Sequence, residues 1–129
     1  MTNMQGHLKG LGVDIGGSSS KLCLIDMEYN SIVKSVTIPH TNRNGIEDIC
    51  SKIIRQIKEW EFEGGIGIGF PGIVENQMII DAPNLGKEWN GHDFRTYFKP
   101  HKIDVTSVLN DADAATIALI EQSKDWTEN

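Results

Sequence analysis

The sequence has few cysteines and no long apolar run, and each shortage excludes a class of protein. Only two cysteines occur among the 129 residues. Cys23 and Cys50 each lie within an apolar stretch, so we interpret them as small buried side chains rather than as a disulfide. No tract of about 18 apolar residues is present, which excludes a membrane-spanning helix. The polar start, MTNMQGHLKG, has no secretion-signal pattern, so we expect a soluble, cytoplasmic protein with no membrane partner.

Basic clusters and metal-ligand spacings are also missing. The twelve lysines and arginines are scattered along a chain of net charge −6, whereas binding to a phosphate backbone needs them grouped. We therefore expect no nucleic-acid partner. The nucleotide motif G-x-x-x-x-G-K-[ST] does not occur, and the stretch GIGIGF does not match G-x-G-x-x-G. The four histidines, none at metal-ligand spacing, are expected to be surface or capping residues, and no zinc site is expected: His7, His40, His92 and His101.

The apolar residues that are present predict a meander of three antiparallel strands near the start. The three runs cover residues 11–16, 21–26 and 31–39, and Gly/Ser and MEYN turn signals separate them at hairpin-like spacing. A 3, 4 and 7 spacing of apolar residues, five isoleucines and a tryptophan, then runs from Ile46 to Trp60. This spacing is typical of one face of an amphipathic helix.

The signals at the two ends of this helix, and the segments after it, complete an α/β order. Asn44 and Glu47 are spaced as a capping pair, and Gly64 is a stop signal. GIGIGFPG predicts a buried strand, QMIIDAPNL a short strand, HDFRTYF a short helix, TSVLND a strand and ADAATIALIEQ a helix. We expect one domain over residues 10–123, between polar segments at 1–9 and 124–129.

The stretch LGVDIGGSSSKLCLID is the first candidate site. Gly16 and Gly17 between two strands can form a turn with positive φ whose N–H groups hold phosphate oxygens. Asp14 would then position hydrated Mg²⁺ beside those phosphates, with Ser18 and Lys21 nearby. A plain hairpin with a Gly-Gly turn accounts for the same residues equally well.

The second candidate is Asp111, which follows a predicted strand and precedes a predicted helix. A carboxylate there can point into a cleft at the sheet edge and act as a general base, with Asn110 beside it. Helix capping by Asp111 is the competing interpretation, and capping by Asp113 would release Asp111 for chemistry. GFPG and APNL each also fit an ordinary turn.

Four motifs stand in a fixed order: DIGGSSSK, GIGFPGIV, APNL and NDADAATIALIE. This series resembles the N-terminal half of the ROK family of sugar kinases and repressors, within the superfamily of actin-like, hexokinase and Hsp70 ATPases. The resemblance runs from about Gly10 to about Glu121 and implies an RNase H-like fold, a mixed sheet with flanking helices. No winged-helix segment precedes LGVDIGG, so we expect the kinase branch.

The resemblance also implies roles for individual residues. It places the phosphate motif on Asp14, Gly16, Gly17, Ser18 and Lys21. It places the sugar-binding loops on Gly72 and Asn84. A sugar-hydroxyl contact falls on Asn110, and the catalytic base falls on Asp111. The sequence departs from the family pattern at Ser18, usually threonine, at Leu109, often glutamate, and at Asp113, commonly asparagine.

The resemblance implies an ATP- and Mg²⁺-dependent kinase that phosphorylates a hexose or an N-acyl-hexosamine. It also places the family's zinc motif, second phosphate loop and adenosine pocket in a C-terminal domain that these 129 residues do not contain. We therefore expect the isolated chain to be inactive and, through an apolar patch to which Ala112–Gln122 contributes, to form a homodimer. A truncated non-catalytic binding or assembly module is the alternative, and a chaperone-like or actin-like filament fragment ranks last.

Overall fold

The computed structural model describes residues 9–29, 31–41, 45–76, 78–82 and 85–110. The described elements, in chain order, are β1 (Lys9–Ile15), β2 (Ser19–Asp26), β3 (Ser31–Pro39), α1 (Ile46–Glu59), β4 (Gly65–Phe70), β5 (Ile73–Glu75), β6 (Met78–Asp81), α2 (Phe94–Phe98) and β7 (Asp104–Asn110). Two 3₁₀ turns flank α2, at Lys87–Trp89 and Lys99–His101. The predicted helix Ala112–Gln122 lies outside the described residues.

Five of the strands form one mixed sheet in the order β3-β2-β1-β4-β7. The pairs β1–β2 and β2–β3 are antiparallel, which confirms the predicted meander. The pairs β1–β4 and β4–β7 are parallel. The sequence-based expectation of a mixed α/β sheet is therefore correct, and β5 and β6 form a separate antiparallel hairpin.

The side of the sheet that carries the core is covered by α1. Alternate residues of β1, β2 and β4 are buried, as the two-residue period of a strand requires, and they join the apolar face of α1 in one cluster. The buried residues of α1 in this cluster are Ile46, Ile49, Cys50, Ile53, Ile54 and Ile57. The isoleucine spacing thus identified the buried face correctly.

The ends of α1 differ from the predicted signals. The N-cap is Gly45, without a side-chain capping bond, and Asn44 lies outside the described residues. The helix ends at Glu59, five residues before Gly64, whose φ of 136° suits glycine. The charges at the two ends of α1 stabilise it through the helix dipole, because acidic side chains lie in the first turn and Lys58 lies in the last turn.

A second group of buried side chains joins the β5–β6 hairpin and α2 to the sheet. Phe70 at the end of β4 contacts Trp89 and Phe94, with ring centroids 5.5 and 5.4 Å apart, and all three rings are fully buried. The short helix α2 begins at Phe94, where the Asp93 carboxylate accepts a hydrogen bond of 2.9 Å from the Arg95 amide. The predicted helix in HDFRTYF is confirmed.

The opposite face of the sheet carries small and polar side chains. Gly12 and Asp14 of β1 alternate with buried neighbours, and so do Lys21 and Cys23 of β2. Gly67 of β4 lies on the same face, because it alternates with buried isoleucines. Within the described part of the chain, no helix is long and apolar enough to cross a membrane.

Candidate functional site at the carboxyl edge of the sheet

Parallel pairing brings the carboxyl ends of β1, β4 and β7 to one edge of the sheet. Asp14 pairs with Gly69 of β4, and Gly69 pairs in turn with Leu109 of β7. Adjacent strands lie about 4.8 Å apart, so the backbones of Asp14 and Leu109 are separated by roughly 10 Å. Ligands of open α/β sheets bind outside the carboxyl ends of the strands. This edge is therefore the candidate site.

The loop from Gly16 to Ser18 closes the β1–β2 hairpin at this edge. The Gly16 amide donates a 2.8 Å hydrogen bond to the Ser19 carbonyl oxygen. The expectation of positive φ at Gly16 and Gly17 is wrong, because positive φ among the described glycines occurs at Gly64, Gly86 and Gly91. Glycine suits position 16 for a steric reason: a Cβ atom there would lie 3.1 Å from the Ser19 carbonyl oxygen.

Asp14 and Lys21 occupy opposite positions on the two strands of this hairpin. Both side chains are exposed and lie on the face of the sheet away from α1. Directly opposed antiparallel residues have Cβ atoms about 5 Å apart. The hairpin therefore presents one carboxylate and one ammonium group next to its loop.

This arrangement fits a magnesium ion held through water. Among the described residues, no group of three or more His, Cys, Asp or Glu side chains could hold a metal ion. Mg²⁺ in phosphoryl-transfer sites does not need such a cage, because it keeps several waters and uses one or two carboxylates together with substrate phosphates. The exposed Asp14 carboxylate suits that role.

Gly72 lies where the two segments predicted to line a sugar pocket, GFPG and APNL, come into contact. It follows β4 and Pro71, is buried, and packs on the end of β6. A Cβ atom at position 72 would overlap the carbonyl oxygen of Asp81 and would lie 3.2 Å from the Cα atom of Ala82. Only glycine allows this approach, which brings GFPG against the start of APNL.

The structure therefore brings several of the predicted site residues to one edge. Asp14, Lys21 and the hairpin loop lie at the carboxyl end of β1, and Gly72 lies just beyond the end of β4. Asn110 is the last residue of β7 and pairs with Phe70. Asn84 and Asp111 lie outside the described residues, so their predicted roles stay predictions.

His40 was not identified from the sequence as part of this region. It directly follows β3 and is half-buried. Its Nε2 atom lies 2.8 Å from Oγ of Ser20, and its backbone amide donates to the Ser18 carbonyl oxygen at 2.8 Å. Burial lowers the pKa of His40 below its ordinary value, partly opposed by the hydrogen bond with Gly17. No local sequence signal reveals a contact between residues 20 positions apart.

A cavity of about 600 Å³ lies at a different place, beside α2 and the amino end of β7. Arg95, Lys99 and Asp104 are among its lining residues. Asp93 also lines it, and hydrogen bonding to Arg95 lowers the pKa of the Asp93 carboxyl group. Because this cavity lies at the amino end of β7, it is not continuous with the candidate site.

Comparison with known proteins identifies relatives of this chain. The polyphosphate glucokinase of Mycobacterium tuberculosis is 28% identical over 111 residues, which make up 84% of this chain and 42% of that relative. The chain thus spans well under two thirds of the length of the curated relatives it matches.

Two solved structures share the fold. The inorganic polyphosphate/ATP-glucomannokinase from Arthrobacter sp. strain KM has a TM-score of 0.77 and 24% identity, with coverage of 88% of this chain and 48% of that chain. A ROK family glucokinase from Streptomyces griseus, in complex with glucose and AMPPNP, has a TM-score of 0.71 and 25% identity, with coverage of 84% and 35%. The actin-like ATPase fold implied by the four motifs is confirmed.

A family model provides the remaining comparison. The model of the ROK family matches residues 10–127, a range that includes all four motifs and nearly all of the 129 residues. The chain therefore belongs to the ROK family.

Proposed function

We propose that the chain forms the sugar- and phosphate-binding part of an ATP-dependent kinase for hexoses or N-acyl-hexosamines. The observation that carries this proposal is the meeting of three features at one sheet edge: the hairpin loop with Asp14, the turn at Gly72, and the carboxyl end of β7. Phosphoryl transfer needs the metal side and the base side to converge on one reaction line. The match to sugar kinases supports the same activity.

In this proposal the hairpin holds the phosphates. The phosphates are bound by Gly16, Gly17, Ser18 and Lys21. Asp14 holds Mg²⁺ through water. When bound, Mg²⁺ neutralises charge on the transferring phosphoryl group. ATP is the proposed donor, and polyphosphate is a second donor to test, because the mycobacterial relatives are named polyphosphate glucokinases.

The acceptor side is assigned to the other end of the same edge. The sugar is contacted by Gly72, Asn84 and Asn110. Asp111 accepts the proton of the attacking hydroxyl group, whose oxygen forms a bond to the γ-phosphorus of ATP. The bond from that phosphorus to the bridging oxygen breaks at the same time, and ADP leaves with the bridging oxygen. A general base must lie within hydrogen-bond reach of that proton. Asp111 directly follows Asn110, the last residue of β7, which supports this assignment.

The decisive experiment measures phosphoryl transfer from ATP across a panel of glucose, mannose, N-acetylglucosamine and N-acetylmannosamine. The 129-residue chain is assayed alone and with the C-terminal domain of a polyphosphate glucokinase added in trans. We expect no appreciable turnover by the chain alone, because an open half-cleft does not exclude water, and sugar-dependent turnover in the mixture. Asp111→Asn should abolish that turnover. Robust activity of the chain alone, or a fully active Asp111→Asn variant, contradicts the assignment.

The alternative is a non-catalytic binding or assembly module. It predicts sugar binding without transfer in either arm of the assay. The homodimer and the absence of a nucleic-acid partner also stay predictions. Exposed apolar side chains that could support self-association lie on two regions of the surface, around β3 and on the β5–β6 hairpin: Tyr29, Ile32, Val33, Ile73, Met78 and Ile80. Sedimentation equilibrium at high micromolar concentration tests the dimer, which a strictly monomeric protein would exclude.

A further inference from the structure

His40 makes three contacts with the hairpin that closes the candidate site. Its ring is 2.8 Å from Oγ of Ser20 through Nε2 and 3.4 Å from the carbonyl oxygen of Gly17 through Nδ1. Its backbone amide donates to the carbonyl oxygen of Ser18 at 2.8 Å. One residue at the end of β3 thus contacts the loop at two consecutive peptide groups and the start of β2.

The chemistry of the partners assigns the tautomer of the ring. The Gly17 carbonyl oxygen can only accept, so Nδ1 carries the proton and donates to it. In a neutral imidazole the other nitrogen is then an acceptor, and the Ser20 hydroxyl group donates to Nε2. Ser20 is 1% exposed, and a buried hydroxyl without a partner is unfavourable. Ser20 therefore holds the ring in the orientation that faces Gly17.

These contacts decide which way the loop amides point. No cis peptide bond occurs among the described residues, and a planar trans peptide places its carbonyl oxygen and the following N–H on opposite sides. Because the carbonyl groups of Gly17 and Ser18 face His40, the N–H groups of Ser18 and Ser19 point away from it. The His40 ring fixes the orientation of the peptide between Gly17 and Ser18, and the His40 backbone amide fixes that of the peptide between Ser18 and Ser19.

We propose that His40 is a positioning residue, which orients the Ser18 amide of the hairpin toward a bound phosphate group. The inference rests on the proposed function, because it takes the hairpin as the phosphate-binding element. It adds a residue outside the four motifs, supplied by the third strand of the meander. The ring acts through Gly17 and does not itself contact the phosphate.

Two substitutions separate positioning from simple stabilisation. The amide nitrogen of asparagine can replace Nδ1, so His40→Asn keeps a donor for Gly17 and loses the acceptor for Ser20. The amide oxygen of glutamine can replace Nε2, so His40→Gln keeps the acceptor for Ser20 and loses the donor for Gly17. If His40 only stabilises the fold, affinity for phosphate follows thermal stability in both variants.

The test titrates Mg²⁺ and inorganic tripolyphosphate into the ¹⁵N-labelled 129-residue chain and follows the Ser18 and Ser19 amide signals by NMR. We expect about a three- to tenfold weaker affinity for His40→Gln, the effect of one hydrogen bond, and near wild-type affinity for His40→Asn. His40→Asn should nevertheless have the lower melting temperature, because it leaves the buried Ser20 hydroxyl without its acceptor. The matched control is His101→Gln, because His101 is an exposed histidine that precedes the amino end of β7. This variant should bind as wild type does.

Each outcome bears on a separate claim. Equal affinities for wild type, His40→Asn and His40→Gln would overturn the role of His40 and leave the phosphate-binding hairpin intact. Affinities that follow melting temperature would do the same. If wild type shows no change at Ser18 or Ser19, the hairpin does not bind phosphate, and the proposed function fails together with the role of His40.

Discussion

Gly72 lies so close to Asp81 that any side chain at position 72 would overlap the Asp81 carbonyl oxygen. The same Cβ atom would lie 2.9 Å from a ring carbon of Phe70, so two neighbours would have to move. We expect Gly72→Ala to lower the free energy of unfolding by about 1–3 kcal/mol, the usual cost of overpacking. Urea denaturation measures this change.

Gly12 provides the matched control for Gly72. It lies in β1 without a positive φ, and a Cβ atom there would meet nothing within 4 Å. We expect Gly12→Ala to change the free energy of unfolding by about 0.5 kcal/mol or less. Similar losses for the two variants would mean that the close approach of Gly72 to Asp81 does not matter for stability.

Asp14→Asn tests the proposed magnesium ligand. We expect the Mg²⁺-dependent part of the affinity for tripolyphosphate to fall by about 10- to 100-fold, as with other residues that hold a metal through an outer shell. Calorimetry with and without Mg²⁺ measures it. Glu63→Gln is the control, because this exposed carboxylate precedes β4 at the opposite edge of the sheet. A loss of affinity that is the same without Mg²⁺ would rule out the metal role.

The pH dependence of stability tests the burial of His40. Burial lowers its pKa below the ordinary 6.5, with Lys52 lowering it further and Asp48 and the Gly17 carbonyl opposing the shift. Between the folded pKa and 6.5, the unfolded state binds more protons than the folded state, so stability falls as the pH falls through this range. His40→Gln should remove this part of the slope in denaturation experiments from pH 7 to pH 5. Parallel curves for wild type and variant would contradict it.

The two cysteines should react at different rates with thiol reagents. Cys50 is 1% exposed, and burial raises the pKa of its thiol to about 12, whereas Cys23 is half-buried on the other face of the sheet. Since the thiolate is the reactive form, we expect one fast modification with a maleimide in the native protein, lost in Cys23→Ser, and two in denaturant. Modification of Cys50 at the rate of Cys23 would show that the α1 face opens readily.

Local patterns predicted much of the fold, and contacts between distant residues account for what they missed. The isoleucine spacing identified α1, and the alternating glycines identified β4, because each signal lies within one element. The reason for glycine at position 16 is an approach to Ser19, not the positive φ that a Gly-Gly pair suggests.

The parts of the site that were not foreseen depend on tertiary contacts. The hydrogen bond between His40 and Ser20 joins two strands, and no motif links these residues. The burial of Trp89 against Phe70 depends in the same way on how the chain after β6 returns to the sheet. Such contacts follow from strand order and register, which a single sequence does not specify.

The strand order also has a kinetic consequence for this edge of the sheet. Short turns join β1, β2 and β3, whereas the parallel pairs β1–β4 and β4–β7 connect segments far apart in the chain. Distant pairs form late in folding, because the entropy of closing a long loop is lost before the contacts can compensate for it. The hairpin should therefore form before the edge to which it belongs, and the site becomes complete only when β7 adds to the sheet.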